Sequence, residues 1–324
     1  MQSISVIVPV YNEEENVKQL YSELVESLKG FDYELIFVND GSTDRTQQEL
    51  EHLAKIDNRV IVVEFRRNFG QTAAIQCGFD IASKDVVCTI DGDRQNDPKD
   101  IPEMIKKLNS GYDMVTGWRK QRKDNRLIRT IPSRLAAKLI SFVTDVKLHD
   151  FGSPLKVMRS EVAKQIKLYG EMHRFIPVIA ATIGCRLVEM PVNHRARVAG
   201  KSKYGISRTF RVILDILLLK FLLSFSRRPL HFFGYTGLLF LSVGLLGVFK
   251  VLFERFFMSQ PAGDRPLLIL GVMFIVLGVQ FVFSGIIAEM IARTYHESQG
   301  KPTYVIRSII GSRADLPRAA NLQS

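Results

Sequence analysis

Cysteine is scarce: the 324 residues hold three, Cys77, Cys88 and Cys185, scattered and without metal-ligand spacing. That pattern speaks against a disulfide-stapled secreted scaffold and fits reduced, mostly buried thiols on the cytosolic side of a membrane. Six histidines are equally dispersed, with no zinc spacing and no evident Ser/His/Asp triad. No GxGxxG follows the first strand-like run, so an ordinary dinucleotide-binding fold is not supported, and no Walker P-loop occurs anywhere. "ISVIVPV" has no charged region before it and no cleavage site after it, so no signal peptide is expected. Charge itself is missing from two long runs, residues 230–249 and 267–288.

Each uncharged run is roughly 20 residues, enough to cross ~30 Å of hydrocarbon as a helix. Their flanks are basic: Arg227 and Arg228 before the first, then Arg293, Lys301 and Arg307 after the second. The short connection "ERFFMSQPAGDR" is nearly neutral. The positive-inside rule then puts both termini and residues 1–228 in the cytoplasm. An integral membrane protein with a large soluble head is expected, of the bacterial inner-membrane kind or its equivalent. Lys and Arg number 44 against 33 Asp and Glu, leaving +11 and pointing to a polyanionic partner. The basic residues cluster towards the membrane side and lack interleaved aromatics, which argues for phosphate or lipid and against nucleic acid.

In the head, strand-like runs ("SVIVPV", "YELIFVND", "VIVVEFR", "DVVCTID", "DMVTGWR") alternate with helical patterns. In "EEENVKQLYSELVESLKG" Val17, Leu20, Tyr21, Leu24, Val25 and Leu28 recur at three and four, with Gly30 as a stop. In "NDPKDIPEMIKKLNSG" Asp97 is the N-cap candidate, Pro98 the first helical position and Gly111 the end. The alternation predicts a doubly wound α/β domain with a mainly parallel, Rossmann-like sheet. Ligands in such sheets bind beyond the carboxyl ends of strands. "YNEEE", "NDGSTD", "RRNFGQT" and "DGDRQND" fall at those ends.

Asp40 ends the second run, where a carboxylate can accept hydrogen bonds from a base or ribose hydroxyl. Asp91 and Asp93 flank Gly92, which lets the backbone bend close to a ligand. Such a carboxylate pair can hold Mg²⁺ or Mn²⁺, which in turn neutralises a diphosphate. A D-x-D alone also describes a solvated turn capping the next helix. Its weight comes from the company of Asp40 and the Pro9–Tyr11 turn.

"VIVPVYNEEENV", "VNDGSTDRT", "RRNFGQTAAIQCGFDIA" and "DGDRQNDP" resemble the signatures of family 2 glycosyltransferases with the GT-A fold, in particular the polyisoprenyl-phosphate glycosyltransferases (the group of dolichol-phosphate mannose synthase and the bactoprenol glucosyltransferases). The resemblance spans residues 1–300, including "AGKSKYG" and the paired apolar runs. It implies that Pro9, Tyr11, Glu13 and Asp40 hold the nucleoside, and that Asp91, Asp93 and Gln95 hold the metal and diphosphate. Dolichol-type members often read D-x-D-L-Q-H, where this chain has Arg94 and Asn96. The family pattern R-x-x-x-S maps onto Arg129 and Ser133, and an earlier family Arg onto Arg119.

Arg119, Arg122, Arg129 and Ser133 lie in "GWRKQRKDNRLIRTIPSRLAAK", which Pro132 interrupts. They are expected to cradle the acceptor lipid's phosphate, since Arg forks match phosphate oxygens; a solvated cationic face is the alternative. Arg197, Lys201 and Lys203, in "HRARVAGKSKYG", are expected over the donor diphosphate, with a membrane-surface contact as the alternative. Residues 204–228 carry Ser207, Arg208, Arg211 and Asp215 opposite Phe210, Val212, Ile213, Leu214 and Leu217, a pattern for a helix lying in the headgroup plane. The division expected is thus a catalytic domain at 1–203, juxtamembrane helices at 204–228, two spans at 229–292 and a cytosolic tail at 293–324. Gly234, Gly237, Gly244 and Gly247 on the first span admit close helix approach and suggest a homo-oligomer.

Asp150 stands where related transferases carry an aspartate near the acceptor. A lipid monophosphate, with a second pKa near ~6, needs no general base, so Asp150 is expected to orient groups. The expected reaction is one in-line, inverting displacement: the lipid phosphate oxygen attacks the anomeric carbon and the nucleoside diphosphate leaves. Glucose from a uridine donor is the first expectation, with mannose from a guanosine donor, N-acetylglucosamine and an amino-pentose open. A processive polysaccharide synthase would share the head, but no Q-x-x-R-W stretch occurs and there are only two spans. A non-catalytic membrane scaffold is opposed by the intact Asp40, Asp91 and Asp93.

Overall fold

The five strand-like runs form five strands of one sheet in a computed structural model of the chain, which describes residues 2–120, 141, 146–168, 172–195, 229–258, 265–298 and 304–311. They are β1 (Ser3–Val10), β2 (Asp32–Asn39), β3 (Val60–Phe65), β4 (Val86–Thr89) and β5 (Met114–Trp118). Three further strands, β6 (Lys156–Arg159), β7 (Leu187–Pro191) and β8 (Ile306–Ile310), complete an eight-stranded sheet in the order β7-β5-β6-β4-β1-β2-β3-β8. β1 pairs in parallel with β2 and β4, β2 with β3 and β5 with β7, whereas β6 runs antiparallel to β4 and β5, and β8 to β3. The sheet is therefore mainly parallel, with one antiparallel insertion and one antiparallel edge.

Helices α1 (Val17–Ser27), α2 (Thr46–Ile56), α3 (Gln71–Ile81) and α4 (Ile101–Asn109) connect the first five strands. α1 buries Val17, Leu20 and Leu24, the stripe its periodicity predicts. A 3₁₀ turn at Pro98–Asp100 precedes α4, and the Asp97 carboxylate accepts from Lys99 N at 3.1 Å, as the capping pattern anticipates. Two shorter helices, α5 (Ser160–Gln165) and α6 (Ile176–Thr182), follow β6. One core lies between the sheet and α1, α2 and α4, around Leu20, Phe37, Leu50 and Met104; the other lies beneath α3, around Ile36, Phe65, Phe79 and Met158. β1 is central, and strand order reverses between it and β4, which opens a crevice beyond their carboxyl ends.

β8 follows the apolar runs yet belongs to the head by contact. Tyr304, 3% exposed, stacks on Phe65 with centroids 5.1 Å apart and donates to Asp80 Oδ2 at 2.9 Å. Residues read from the sequence as part of a tail thus finish the sheet.

The apolar runs are the helices α7 (Pro229–Phe257) and α8 (Pro266–Ser298). Both are long and apolar enough to cross a membrane by length and composition. Large side chains such as Leu246 (69% exposed) and Ile269 face outward all round, which a soluble core helix does not do. The helices meet at glycines: a Cβ on Gly237 would lie 2.8 Å from Gly278 O, and one on Gly244 2.6 Å from Gly271 O. Two of the glycines that suggested contact between copies are therefore used within the chain. Phe240 stacks on Phe274 and Phe281 in the same seam.

Candidate active site

The β1–β4 crevice is built from chain ends that approach unusually closely. Beyond β4 the Asp91–Asp93 turn lies against the end of β1: a Cβ on Gly92 would stand 2.7 Å from Val10 Cγ1 and 3.2 Å from Pro9 O. Both neighbours belong to β1, and Val10 is buried there, so room for the methyl must come from a shift of the turn or of the strand end. Gly92→Ala should therefore displace the turn and lower thermal stability by about 1–3 kcal/mol. Unchanged melting and full transfer activity would show that the close approach is unimportant.

The loops after β1 and β2 interlock around this turn. Asn12 takes a left-handed conformation (φ 56°), its Oδ1 accepts from Thr43 N at 2.8 Å, and its own N–H donates to Ser42 Oγ at 2.9 Å. Glu13 N donates to Thr46 Oγ1, and Arg45 N to the Glu14 carboxylate. Several polar residues of "YNEEE" and "NDGSTD" are thus engaged in fixing loop shape. Tyr11 and Glu13 stand on the first of these loops, beside Pro9. Asp40 accepts from Phe69 N at 2.6 Å and Gly70 N at 2.9 Å, which fastens the loop after β3 to the end of β2. Burial raises its pKa and these two amides oppose the rise.

Asp91 and Asp93 stand together, Asp93 buried and Asp91 half-buried. Burial first, then the Asp93 charge, push Asp91 up to about 7. Gln71, at the start of α3, donates to Asp91 Oδ1 at 2.7 Å, and Gln95 N donates to Asp93 Oδ1 at 3.2 Å. Beneath them lies Lys156, only 3% exposed, opposite Thr89 in β4 and Thr116 in β5; its ammonium donates to Ser153 O. Its charge attracts Asp91 and Asp150, while burial pulls its own pKa down to about 8. Neither Gln71 nor Lys156 was singled out as a site residue from the sequence, although Gln71 lies in the "RRNFGQT" cluster.

Arg119 forks onto Asp150: Nε to Oδ2 at 2.7 Å and Nη2 to Oδ1 at 2.9 Å, both side chains nearly buried. Asp150 is held in turn by its own N–H donating to Glu189. Arg129, Ser133, Arg197, Lys201 and Lys203, and the stretch 204–228, lie outside the described residues.

No group of three or more His, Cys, Asp or Glu arranged for a metal occurs among the described residues. Two repelling carboxylates nevertheless fit a hard divalent ion, which commonly takes one or two carboxylates and completes its shell with phosphate oxygens and water. The raised Asp91 is the sign of charge such an ion would relieve.

The glycosyl transferase family 2 model matches residues 5–167. The chain belongs to that family. Along nearly its whole length it is similar to the dodecaprenyl-phosphate galacturonate synthase of Rhizobium johnstonii, 44% identical over 317 residues, 96% of this chain and 94% of that one. It is also similar to the undecaprenyl-phosphate 4-deoxy-4-formamido-L-arabinose transferase of Proteus mirabilis, 33% identical over 315 residues, covering 96% and 95%. Among solved structures, glucosyl-3-phosphoglycerate synthase from Mycobacterium tuberculosis with Mn²⁺, uridine diphosphate and phosphoglyceric acid shares the fold, with a TM-score of 0.54, 19% identity, and 68% of this chain and 78% of that one covered.

Proposed function

We propose that this glycosyltransferase moves a sugar from a nucleoside diphosphate to a polyprenyl phosphate at the cytoplasmic membrane face, and that the sugar is a hexuronate. The observation that carries the reading is the 44% identity to a polyprenyl-phosphate galacturonate synthase over 96% of the chain, both apolar helices included. Glucose, the first expectation from the sequence, finds no support in the names of these relatives; the amino-pentose keeps some through the 33% relative. Purified full-length protein should turn over UDP-galacturonate at least tenfold faster, by kcat/KM, than UDP-glucose or the formamido-arabinose donor. Preference for either competitor would reassign the sugar while leaving the reaction class intact.

Asp91, Asp93 and Gln95 would hold Mg²⁺ or Mn²⁺, which supplies positive charge to the departing diphosphate. Pro9, Tyr11, Glu13 and Asp40 would line the nucleoside side of the crevice, with Arg197, Lys201 and Lys203 over the diphosphate. Asp150 holds Arg119 by its fork, fixing a guanidinium beside the carboxylate site. The acceptor is already anionic, so no residue need take its proton. Its oxygen attacks the anomeric carbon in line, the glycosidic C–O bond to the diphosphate breaks, and configuration inverts.

Arg129 and Ser133 complete the acceptor site in this reading. Arg129→Ala should raise KM for polyprenyl phosphate or lower kcat by about 1.5–3 kcal/mol and leave nucleotide affinity nearly untouched. Loss of nucleotide binding with lipid dependence intact would mean that the two phosphate sites are exchanged.

The two helices cross the membrane as a hairpin. Antiparallel pairing of β8 with β3 supports this, because residues 304–311 and the head must then share a compartment. A cysteine at Pro261 should react with an impermeant reagent from outside intact cells. Labelling only after permeabilisation would refute the hairpin orientation.

A further inference from the structure

Arg94 sits between Asp93 and Gln95 with φ 59°, a left-handed conformation that side chains other than glycine, asparagine and aspartate rarely adopt. The only other described non-glycine residue with positive φ is Asn12, also at the rim of the crevice. Such conformations cost of order 1–3 kcal/mol and persist where surrounding contacts impose them. Here the imposing contacts converge on one residue. Arg94 Nη2 donates to Glu23 Oε1 at 2.8 Å, and Arg195 Nη1 donates to Glu23 Oε2 at 2.6 Å. Arg195 continues the chain of contacts: its Nη2 lies 2.7 Å from Asp97 Oδ2, and its backbone N–H donates to Gln95 O at 2.8 Å. A bridge between Asn96 and His194 ties the same two segments.

The side chains are well shielded, Arg94 at 11% and Glu23 at 22% exposure. A shielded pair with two-sided hydrogen bonding resists screening better than an exposed ion pair does. Glu23 is on α1, outside the crevice motifs in sequence, and nothing in the reaction calls for a carboxylate there.

We propose that Glu23 is a positioning residue for metal binding: by holding Arg94 and Arg195 together it keeps the 93–97 turn in the strained shape that presents Asp93 and Gln95. The inference rests on the metal site proposed above. Arg94, one of the two places where this chain departs from D-x-D-L-Q-H, then acquires a purpose, since it supplies the tether.

The test is Mn²⁺ binding to full-length protein with saturating UDP, followed by the loss of the free-ion paramagnetic resonance signal. Glu23→Ala and Glu23→Gln should each weaken Mn²⁺ on the order of tenfold or more, as loss of a supporting group around a metal commonly does. Glu26→Ala, which removes an exposed pair with Lys29 on the same helix, should change nothing. Arg94→Gly should bind Mn²⁺ more tightly than Arg94→Ala, because glycine takes the left-handed conformation without a tether. Glu23→Gln preserves shape and carries the test if Glu23→Ala does not fold. Mn²⁺ affinity within twofold of wild type in folded Glu23→Gln overturns the inference alone. Wild-type protein that binds no Mn²⁺ overturns it together with the metal site.

Discussion

Asp93→Asn protein should transfer no measurable sugar, a loss on the order of a thousandfold or ~4 kcal/mol of barrier, and should keep its fold. Asp91→Asn should behave the same way and melt no lower than wild type at pH 8. Both outcomes follow from one arrangement. Asp91 is raised to about 7, chiefly by burial and then by the Asp93 charge. A carboxylate raised above its unfolded value favours the folded state fully only at low pH, and that contribution is lost as pH rises through about 7. At pH 8 the ionised Asp91 therefore works against the fold, and the neutral amide removes that cost. Wild-type metal-free protein should accordingly lose stability between about pH 4 and 7, and the Asp91→Asn protein less. Measuring transfer and melting on the same samples checks the pair. Full activity in EDTA, or a variant that is inactive because it is unfolded, would contradict this account.

Tyr304→Ala should unfold the head more readily, by about 3–5 kcal/mol, the usual cost of truncating a large buried aromatic. Tyr304 fills space against Phe65, and its hydroxyl is committed to Asp80. Burial, with Cys77 and Asp80 close by, raises the phenol's pKa, so the group stays neutral across the working range. Ending the chain at residue 298 removes the whole of β8 and should cost at least as much. Trp118, the sole tryptophan, stands in β5 and reports on the head alone by fluorescence. A truncated chain with wild-type melting would mean that the edge strand is dispensable.

Much of the architecture is readable from local pattern. β1 to β5 announce themselves because strands covered on both faces are short, continuous and β-branched. The three strands that pattern missed have identifiable disguises. β6 carries a buried Lys156, which breaks its apolar run. β7 is half-exposed and ends in Pro191. β8 comes after the apolar helices and pairs with a strand far back in the chain. The site divides in the same way. Asp91, Asp93 and Asp40 are legible because chemistry places carboxylates at strand ends. Gln71 and Lys156 meet the Asp91 carboxylate, and Glu23 meets Arg195, through partners distant in sequence, and no local window contains both members.

The account is tested most directly by the products of one incubation: full-length protein, Mn²⁺, UDP-galacturonate and undecaprenyl phosphate, resolved by mass spectrometry. It predicts a lipid carrying one phosphate and one hexuronate, with one UDP released per lipid consumed and no product from the Asp93→Asn protein. A lipid bearing two phosphates with release of UMP, or sugar polymer free of lipid, would contradict it.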